Sequence, residues 1–450
     1  MNQSVSAPAP AGTGSKLPLR YSLAWLLLAL LAGASTWFYT DYVLKPLQIS
    51  DAHTHDRPRG NLSDLYPRWL GTRELLVNGR NPYSRAITLE IQKGYYGREL
   101  DPAKPDDPKD QQAFAYPVYV VFLLAPLIAL PFHVAQILMY WGLIALTAAS
   151  VPLWLNVLRW RVSLPGVLAC IALTLGSFPA VQGFKLQQLT LLVAGLLTIA
   201  VYCITRGWNF AGGATLALAT IKPQLSWLLV GWILLWALSG WKSRRNVILS
   251  FVAVMALFLI GAEVVLPGWL AMFLHAMRDY RQYTQSLSVL DELVGTAIGR
   301  TVAAVAVVLA FAVLWPTRKT GGGDAFPSSV CLVLALTILV VPTFSPYNQV
   351  LLLGPVLWLT REVRTLCKHS RLSRAVIAAC ALAVLWPWIA TLALTAAKLG
   401  FQEKVMQFWR SPLYSTFSIP ILVFTATLLG TLLERTGLSS SERPVTVAES

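Results

Sequence analysis

Charge is what this sequence has least of. Asp, Glu, Lys and Arg make up 13% of its 450 residues, against roughly 25% in a soluble domain, while hydrophobic residues reach 56%. A soluble globular class is thereby excluded. Cysteine is scarce too: Cys170, Cys203, Cys331, Cys367 and Cys380 fall mostly in hydrophobic segments, and none lies between residues 44 and 115. A disulfide framework or a cysteine-built metal site does not fit that distribution. Nor is there a glycine-rich phosphate loop after a strand, a strand–helix alternation, or a soluble domain to hold a nucleotide sugar. Gly321-Gly322-Gly323 follows a basic span end and reads as a linker.

What is present is a succession of apolar runs near the roughly 20 residues that span a bilayer. The fold class expected is an all-α polytopic membrane protein. Net charge is +15 and the pI about 9.7, but the Lys and Arg are dispersed between hydrophobic runs, so no nucleic-acid partner is expected. They read as topology signals and contacts to membrane lipids. Residues 1–19 read as a disordered cytoplasmic tail, 20–433 as the transmembrane domain, and 434–450 as a second polar tail. Lys16 and Arg20 before the first span, about 21–42, place the N-terminus inside. Ala32-Gly33-Ala34 would serve a signal peptidase, but the apolar run continues through Trp37, Phe38 and Tyr39 as an interfacial anchor does.

Further spans are expected at about 116–132, 135–158, 164–181, 188–205, 211–238, 247–266, 296–315, 328–344, 350–360, 375–399 and 413–433, about twelve in all. The stretch 350–360 is short and contains Pro355. Basic clusters at Lys242, Arg244 and Arg245, at Arg318 and Lys319, and from Arg361 to Arg374 fall inside in this register. Arg159, Arg161 and Arg206 would then be outside. An alternative removes the conflict: 116–132 does not cross, and 211–238 dips in and returns at Lys222-Pro223.

The loop from 44 to 115 is read as extracytoplasmic. A helix starting at Asp64 would carry apolar stripes through Leu65, Trp69, Leu76 and Tyr66, Leu70, Val77, with Arg68 one turn beyond the carboxylate. Asn78-Gly79-Arg80-Asn81-Pro82 reads as its stop and a turn. A second amphipathic piece is expected over 86–96, and Asp101 to Asp110 as a solvated, flexible segment. The outer stretch 268–293, with His275, Arg278, Asp279, Tyr280, Asp291 and Glu292, reads as a solvated loop, or as a border of the acceptor site.

Ionised groups inside a bilayer cost at least about 2.5 kcal/mol each, so the intramembrane ones are informative. Lys222 precedes a helix-breaking proline in a long apolar segment and is read either as a cation for a lipid-linked phosphate or as a snorkelling lysine. Glu263 reads as an interfacial or paired acid. Gln187 and Gln188 read as caps or as sugar ligands.

Gly60-Asn61-Leu62-Ser63-Asp64-Leu65-Tyr66, the stretch Asn78-Gly79-Arg80-Asn81-Pro82-Tyr83, Phe114-Ala115-Tyr116-Pro117 running into Leu124-Ala125-Pro126-Leu127, and Ala219-Thr220-Ile221-Lys222-Pro223 together resemble glycosyltransferase family 87. The resemblance spans roughly 20–245, with weaker similarity around Ser345-Pro346-Tyr347 and Leu353-Gly354-Pro355. Val118 stands where the family often has a second proline, and Tyr66-Pro67 replaces its commoner run of aromatics.

The resemblance implies the C-type glycosyltransferase fold. It implies an enzyme of the plasma (inner) membrane moving a hexose, mannose first, from a polyprenyl-phosphate donor to a glycolipid or glycan acceptor on the extracytoplasmic side. Asp64 holds the position of the general base, and one attack with one base implies inversion. Lys222, Arg68 and Arg73 are the candidate contacts of the donor phosphate. Tyr116, Asn81, Tyr83, Gln187 and Tyr347 are the candidates for the sugar or acceptor pocket. No metal and no cofactor are expected, the lipid-linked sugar being a substrate. The competing readings are a helix cap for Asp64, lipid headgroup contacts for Arg68 and Arg73, and interfacial belt residues for Tyr116 and Tyr347. For the whole chain they are a transporter or flippase of lipid-linked sugars, or a non-catalytic polyprenyl-phosphate scaffold. A long outer loop without a counterpart in the second half weighs against the internal repeats of a transporter.

Overall fold

The computed structural model describes residues 19–284, 287–320, 325–400 and 406–435. Both expected tails beyond those limits, and the glycine run at 321–323, lie outside the described residues. Every regular element among the described residues is helical. Six helices are long and apolar enough to cross a membrane: Leu23–Thr54, Phe132–Val157, Trp241–Val265, Thr296–Lys319, Arg371–Leu399 and Ser411–Arg435. A seventh span results if Leu164–Leu175 and Phe178–Lys185, bent by 57° against each other, are taken as one.

These helices are distinguished by which face they leave bare. Trp241–Val265 exposes Leu249, Val252, Leu257, Leu259, Ile260 and Val264, a stripe that water would penalise and lipid accepts. By contrast, Ala325–Val340 is buried from Phe326 to Leu339. A helix that is apolar all round belongs in the middle of a bundle.

The two segments that the alternative topology singles out do not form complete spans. Residues 116–132 yield only the 9-residue helix Val120–Ile128, about 13 Å long against a hydrocarbon core of about 30 Å. Residues 209–238 break at Lys222 into Asn209–Leu218, a 3-10 turn Ala219–Ile221, and Pro223–Leu238. Both ends of that segment reach the start of Trp241–Val265. Asn209 donates to the Ser243 carbonyl at 3.0 Å, and Arg244 donates to the Trp236 carbonyl at 2.8 Å. The segment is a hairpin with Lys222 at its tip. Pro223 has no N–H to continue the ladder, which is why the chain turns there.

This hairpin departs from the count of about twelve full crossings, and it gathers the basic residues. Arg244 also donates to the Arg318 and Thr320 carbonyls, Arg361 to that of Leu158, and Arg435 to that of Val313. Arg159, Arg161 and Arg206 therefore sit at the same end of the bundle as Lys242, Arg318 and Arg361. The residues 60–116 and the hairpin tip meet at the other.

Candidate active site

The short motif before the first loop helix is built to dock. Asn61 donates from its side chain to the Gly94 carbonyl and accepts from the Ser63 N–H. Ser63 donates to Gln187, and the Asp64 N–H donates to the Leu186 carbonyl at 2.9 Å. Leu62 and Gln187 hold left-handed φ of 50° and 49°, strained positions that persist only where the surroundings dictate them. Close approach needs two glycines. A Cβ on Gly60 would stand 2.2 Å from the Tyr95 carbonyl oxygen, and one on Gly94 would stand 2.1 Å from the Tyr66 ring. The motif is thus pressed against the helix Arg85–Tyr96, which Ser84 caps through the Ile87 N–H.

That packing delivers Tyr95 to Asp64. The first loop helix starts at Tyr66, and no side chain caps it, so Asp64 is not its cap. Its Oδ1 accepts from the Tyr95 hydroxyl at 3.0 Å, and its Oδ2 accepts from Gln188 Nε2. The carboxylate is surrounded by protein without being closed over, as a group lining a cleft is. Burial pushes its pKa above the ordinary carboxylate value, against the opposing pull of the Arg68 charge, the Tyr95 hydrogen bond, the Lys222 charge and the Gln188 hydrogen bond.

Gln188 is the bridge to the hairpin tip. Its Oε1 accepts from Lys222 Nζ at 3.3 Å, and Lys222 also donates to Thr190 Oγ1 at 2.7 Å. Thr190 donates in turn to Asn348 Oδ1 at 3.0 Å. The Lys222 ammonium stands 5.3 Å from the Tyr347 ring centroid, within cation–π range. With 7% of its surface exposed, Lys222 is not snorkelling. It is a buried cation held by neutral partners.

Arg68 completes the cluster. It donates to the Asp64 carbonyl at 3.0 Å, and its guanidinium lies 4.6 Å from the Tyr116 ring centroid. Tyr116 is held in turn by Tyr83, whose hydroxyl donates to the Tyr116 carbonyl at 2.6 Å. Asp64, Arg68, Lys222, Tyr116 and Tyr347 are thus brought together.

The other candidates stand elsewhere or are spoken for. Arg73 is exposed and stacks on Trp69, whose indole donates to the Leu127 carbonyl. Its cation is thereby placed on the Trp69 ring rather than beside Lys222. Asn81 folds its own turn by accepting from the Tyr83 N–H, and reaches Met272 with its amide. Gln187 accepts from Ser63 and Gln136 and donates to the Phe184 and Lys185 carbonyls. Its hydrogen-bonding capacity is used inside the protein, so it acts as a clasp. Glu263 accepts from the Gly268 N–H, a structural pairing.

Tyr95, Thr190 and Asn348 join this cluster although the sequence does not single them out. Asp110 falls in the stretch expected to be solvated; residues 101–106 and 109 are exposed as expected, whereas Asp107 and Asp110 are half-buried. Tyr96 donates to its carbonyl at 2.7 Å, and Gln112 donates to its carboxylate with both the backbone N–H and the side-chain amide. Asp107 in the same stretch takes Arg98 at 2.5 Å with 5% of its side chain exposed. A proline-rich, charge-alternating composition hides such pairing, because Arg98 and Tyr96 lie 9 and 14 residues before their partners Asp107 and Asp110. No group of three or more His, Cys, Asp or Glu able to hold a metal occurs among the described residues.

Residues 114–346 match the model of glycosyltransferase family 87. Neither curated proteins nor solved structures gave a match. The matched region takes in Tyr116, Gln188, Thr190 and Lys222; Asp64, Arg68 and Tyr95 precede it, and Tyr347 follows it by one residue. Since the match covers more than half of the chain, the protein belongs to glycosyltransferase family 87 and is a membrane glycosyltransferase.

Proposed function

We propose that this enzyme transfers a hexose, mannose foremost, from a polyprenyl-phosphate donor to a hydroxyl of an envelope glycolipid or glycan. The observation that carries the reading is the join between a buried carboxylate and a buried ammonium through Gln188. Asp64 takes the proton of the acceptor hydroxyl as its oxygen attacks the anomeric carbon. The bond from that carbon to the phosphate oxygen breaks, and polyprenyl phosphate leaves as an anion toward Lys222. The configuration inverts. A carboxylate raised by burial is the stronger base, and a cation in a water-poor site stabilises the departing phosphate more than it would in water.

The site faces the extracytoplasmic side of the plasma (inner) membrane in this reading. The support is the collection of Arg159, Arg206, Arg244, Arg318 and Arg361 at the opposite end, which the positive-inside rule assigns to the cytoplasm. In this reading the helical bundle is the C-type glycosyltransferase fold, and the lipid-linked donor needs no cofactor.

Purified protein offered polyprenyl-phosphate mannose, its glucose counterpart and nucleotide sugars, with envelope lipids as acceptors, tests the reading. Transfer from a lipid-linked sugar is expected. Transfer from nucleotide sugars alone would overturn it.

A further inference from the structure

The hairpin tip owes its shape to a missing hydrogen-bond donor. Ala219–Ile221 is a 3-10 turn, in which a carbonyl pairs with the N–H three residues further on. For the Thr220 carbonyl that residue is Pro223, which has no N–H. Lys222 leaves the helical region at φ −124° and ψ 78°, and the chain restarts as Pro223–Leu238. A carbonyl freed at such a break inside an apolar bundle needs another donor.

Tyr119 supplies it. Its hydroxyl donates to the Thr220 carbonyl at 3.0 Å and lies 3.3 Å from Thr220 Oγ1. The ring is held by two others: it stacks on Phe258 at 5.3 Å with the planes 7° apart, and meets Trp269 edge to face at 5.8 Å. Only 5% of Tyr119 is exposed, so its hydroxyl is kept from bulk water and pairs with the carbonyl. Three residues earlier in the chain, the Tyr116 ring lies 4.6 Å from the Arg68 guanidinium. The Pro117, Val118 and Tyr119 carbonyls accept from the Val120, Val121 and Phe122 N–H groups at 3.0, 3.0 and 3.2 Å, which winds the stretch tightly into the helix Val120–Ile128. One turn of chain thus touches both cations of the site, Arg68 through the Tyr116 ring and Lys222 through the backbone two residues before it.

We propose that Tyr119 is a positioning residue of the transferase: its hydroxyl takes the place of the N–H that Pro223 lacks, and so fixes where the hairpin tip presents the Lys222 ammonium to the donor phosphate. This inference rests on the reading of Lys222 as the phosphate's cation. Tyr119 acts through Thr220 and takes no part in the chemistry. Lys222 is held at Nζ by Gln188 and Thr190, but hydrogen bonds at the end of a flexible four-carbon stem leave its backbone free to shift. The Tyr119 bond acts on that backbone. Without it the tip settles wherever the Thr220 carbonyl finds another donor, and the ammonium moves with it.

The test uses the full chain in lipid nanodiscs and equilibrium binding of polyprenyl-phosphate mannose to the parent, Tyr119→Phe, Lys222→Met and the double variant. Tyr119→Phe keeps the ring that packs on Phe258 and Trp269. It is expected to raise the Kd about 10-fold, the scale of one hydrogen bond lost from a buried carbonyl, and less than about twofold where Lys222→Met is already present. Such non-additivity belongs to residues that act through one another, whereas a merely structural contribution adds alike in both backgrounds. Phe258→Leu covers the case in which Tyr119→Phe fails to fold. It leaves the hydroxyl but removes the stacked ring, and should raise the Kd about threefold, again only while Lys222 is present. An unchanged Kd in Tyr119→Phe, or the same rise in both backgrounds, would overturn the positioning role, while transfer by the parent from this donor would leave the transferase reading standing. A parent protein that neither binds the lipid-linked donor nor transfers from it would overturn both.

Discussion

Asp64 and Lys222 share a single side chain: Gln188 donates to the Asp64 carboxylate and accepts from the Lys222 ammonium at 3.3 Å. The base and the cation of the proposed reaction are thereby set at a fixed separation, although they lie far apart in sequence. An amide suits this bridge because it donates at one end and accepts at the other.

Replacing Gln188 by Leu removes a hydrogen bond that lowers the Asp64 pKa. Burial would then go less opposed. The acid limb of the pH profile of kcat/KM is expected to move to higher pH than in the parent, measured by transfer assays from acidic to neutral pH. A limb that stays in place would separate Gln188 from the titrating group.

The raised Asp64 pKa also predicts a stability effect. A carboxyl whose folded pKa lies above its unfolded value binds its proton more tightly when folded, so stability falls as pH rises from the unfolded value through the folded one. Above the folded pKa the whole of that loss is present. Asp64→Asn, uncharged and of the same shape, is expected to melt higher than the parent at neutral pH, with the gap closing as pH falls toward the ordinary carboxylate value of about 4. Thermal unfolding in one detergent at both ends of that range decides the sign.

Arg68 and Arg73, on the same loop helix, should behave differently. Arg68 touches the Asp64 carbonyl and the Tyr116 ring, whereas Arg73 is exposed on Trp69. Arg68→Ala is expected to lower kcat/KM about 10-fold to 100-fold, in keeping with a hydrogen-bonded charge of about 1.5–3 kcal/mol, and Arg73→Ala less than about threefold. Parallel kinetics on both variants test the assignment.

Gly94→Ala should act on the site from a distance. The new Cβ would meet the Tyr66 ring, and overpacking of that kind costs about 1–3 kcal/mol. A lower melting temperature and reduced transfer are expected together, because the displaced helix carries Tyr95. Unchanged melting would show that Tyr66 simply swings aside.

The helical class is legible in the sequence because an apolar run of bilayer length can satisfy its backbone hydrogen bonds within lipid only as a helix. Asp64 and Lys222 are legible as well, one for its place in a short motif and the other for its cost inside a membrane. The hairpin is legible only as an alternative, since Arg159, Arg161 and Arg206 are the sole sign that two segments do not cross. Neutral partners leave the least trace. Thr190 and Asn348 carry no penalty that marks them, Gln188 stands out only as a polar group at a span end, and Asp110 is masked by the charged, proline-rich stretch around it. Asn81 and Gln187 are conspicuous as polar groups near the motif, yet the partners of each are groups of the protein itself: the Tyr83 N–H and Met272 for Asn81, and Ser63, Gln136 and two backbone carbonyls for Gln187.

The most direct test of the account is a paired measurement on Asp64→Asn beside the parent: equilibrium binding of polyprenyl-phosphate mannose, and single-turnover transfer to acceptor. The account predicts that donor binding is retained while transfer falls by about 100-fold to 10,000-fold, the range that a lost general base removes. Transfer at the parental rate with donor bound would contradict it and put the base on another residue.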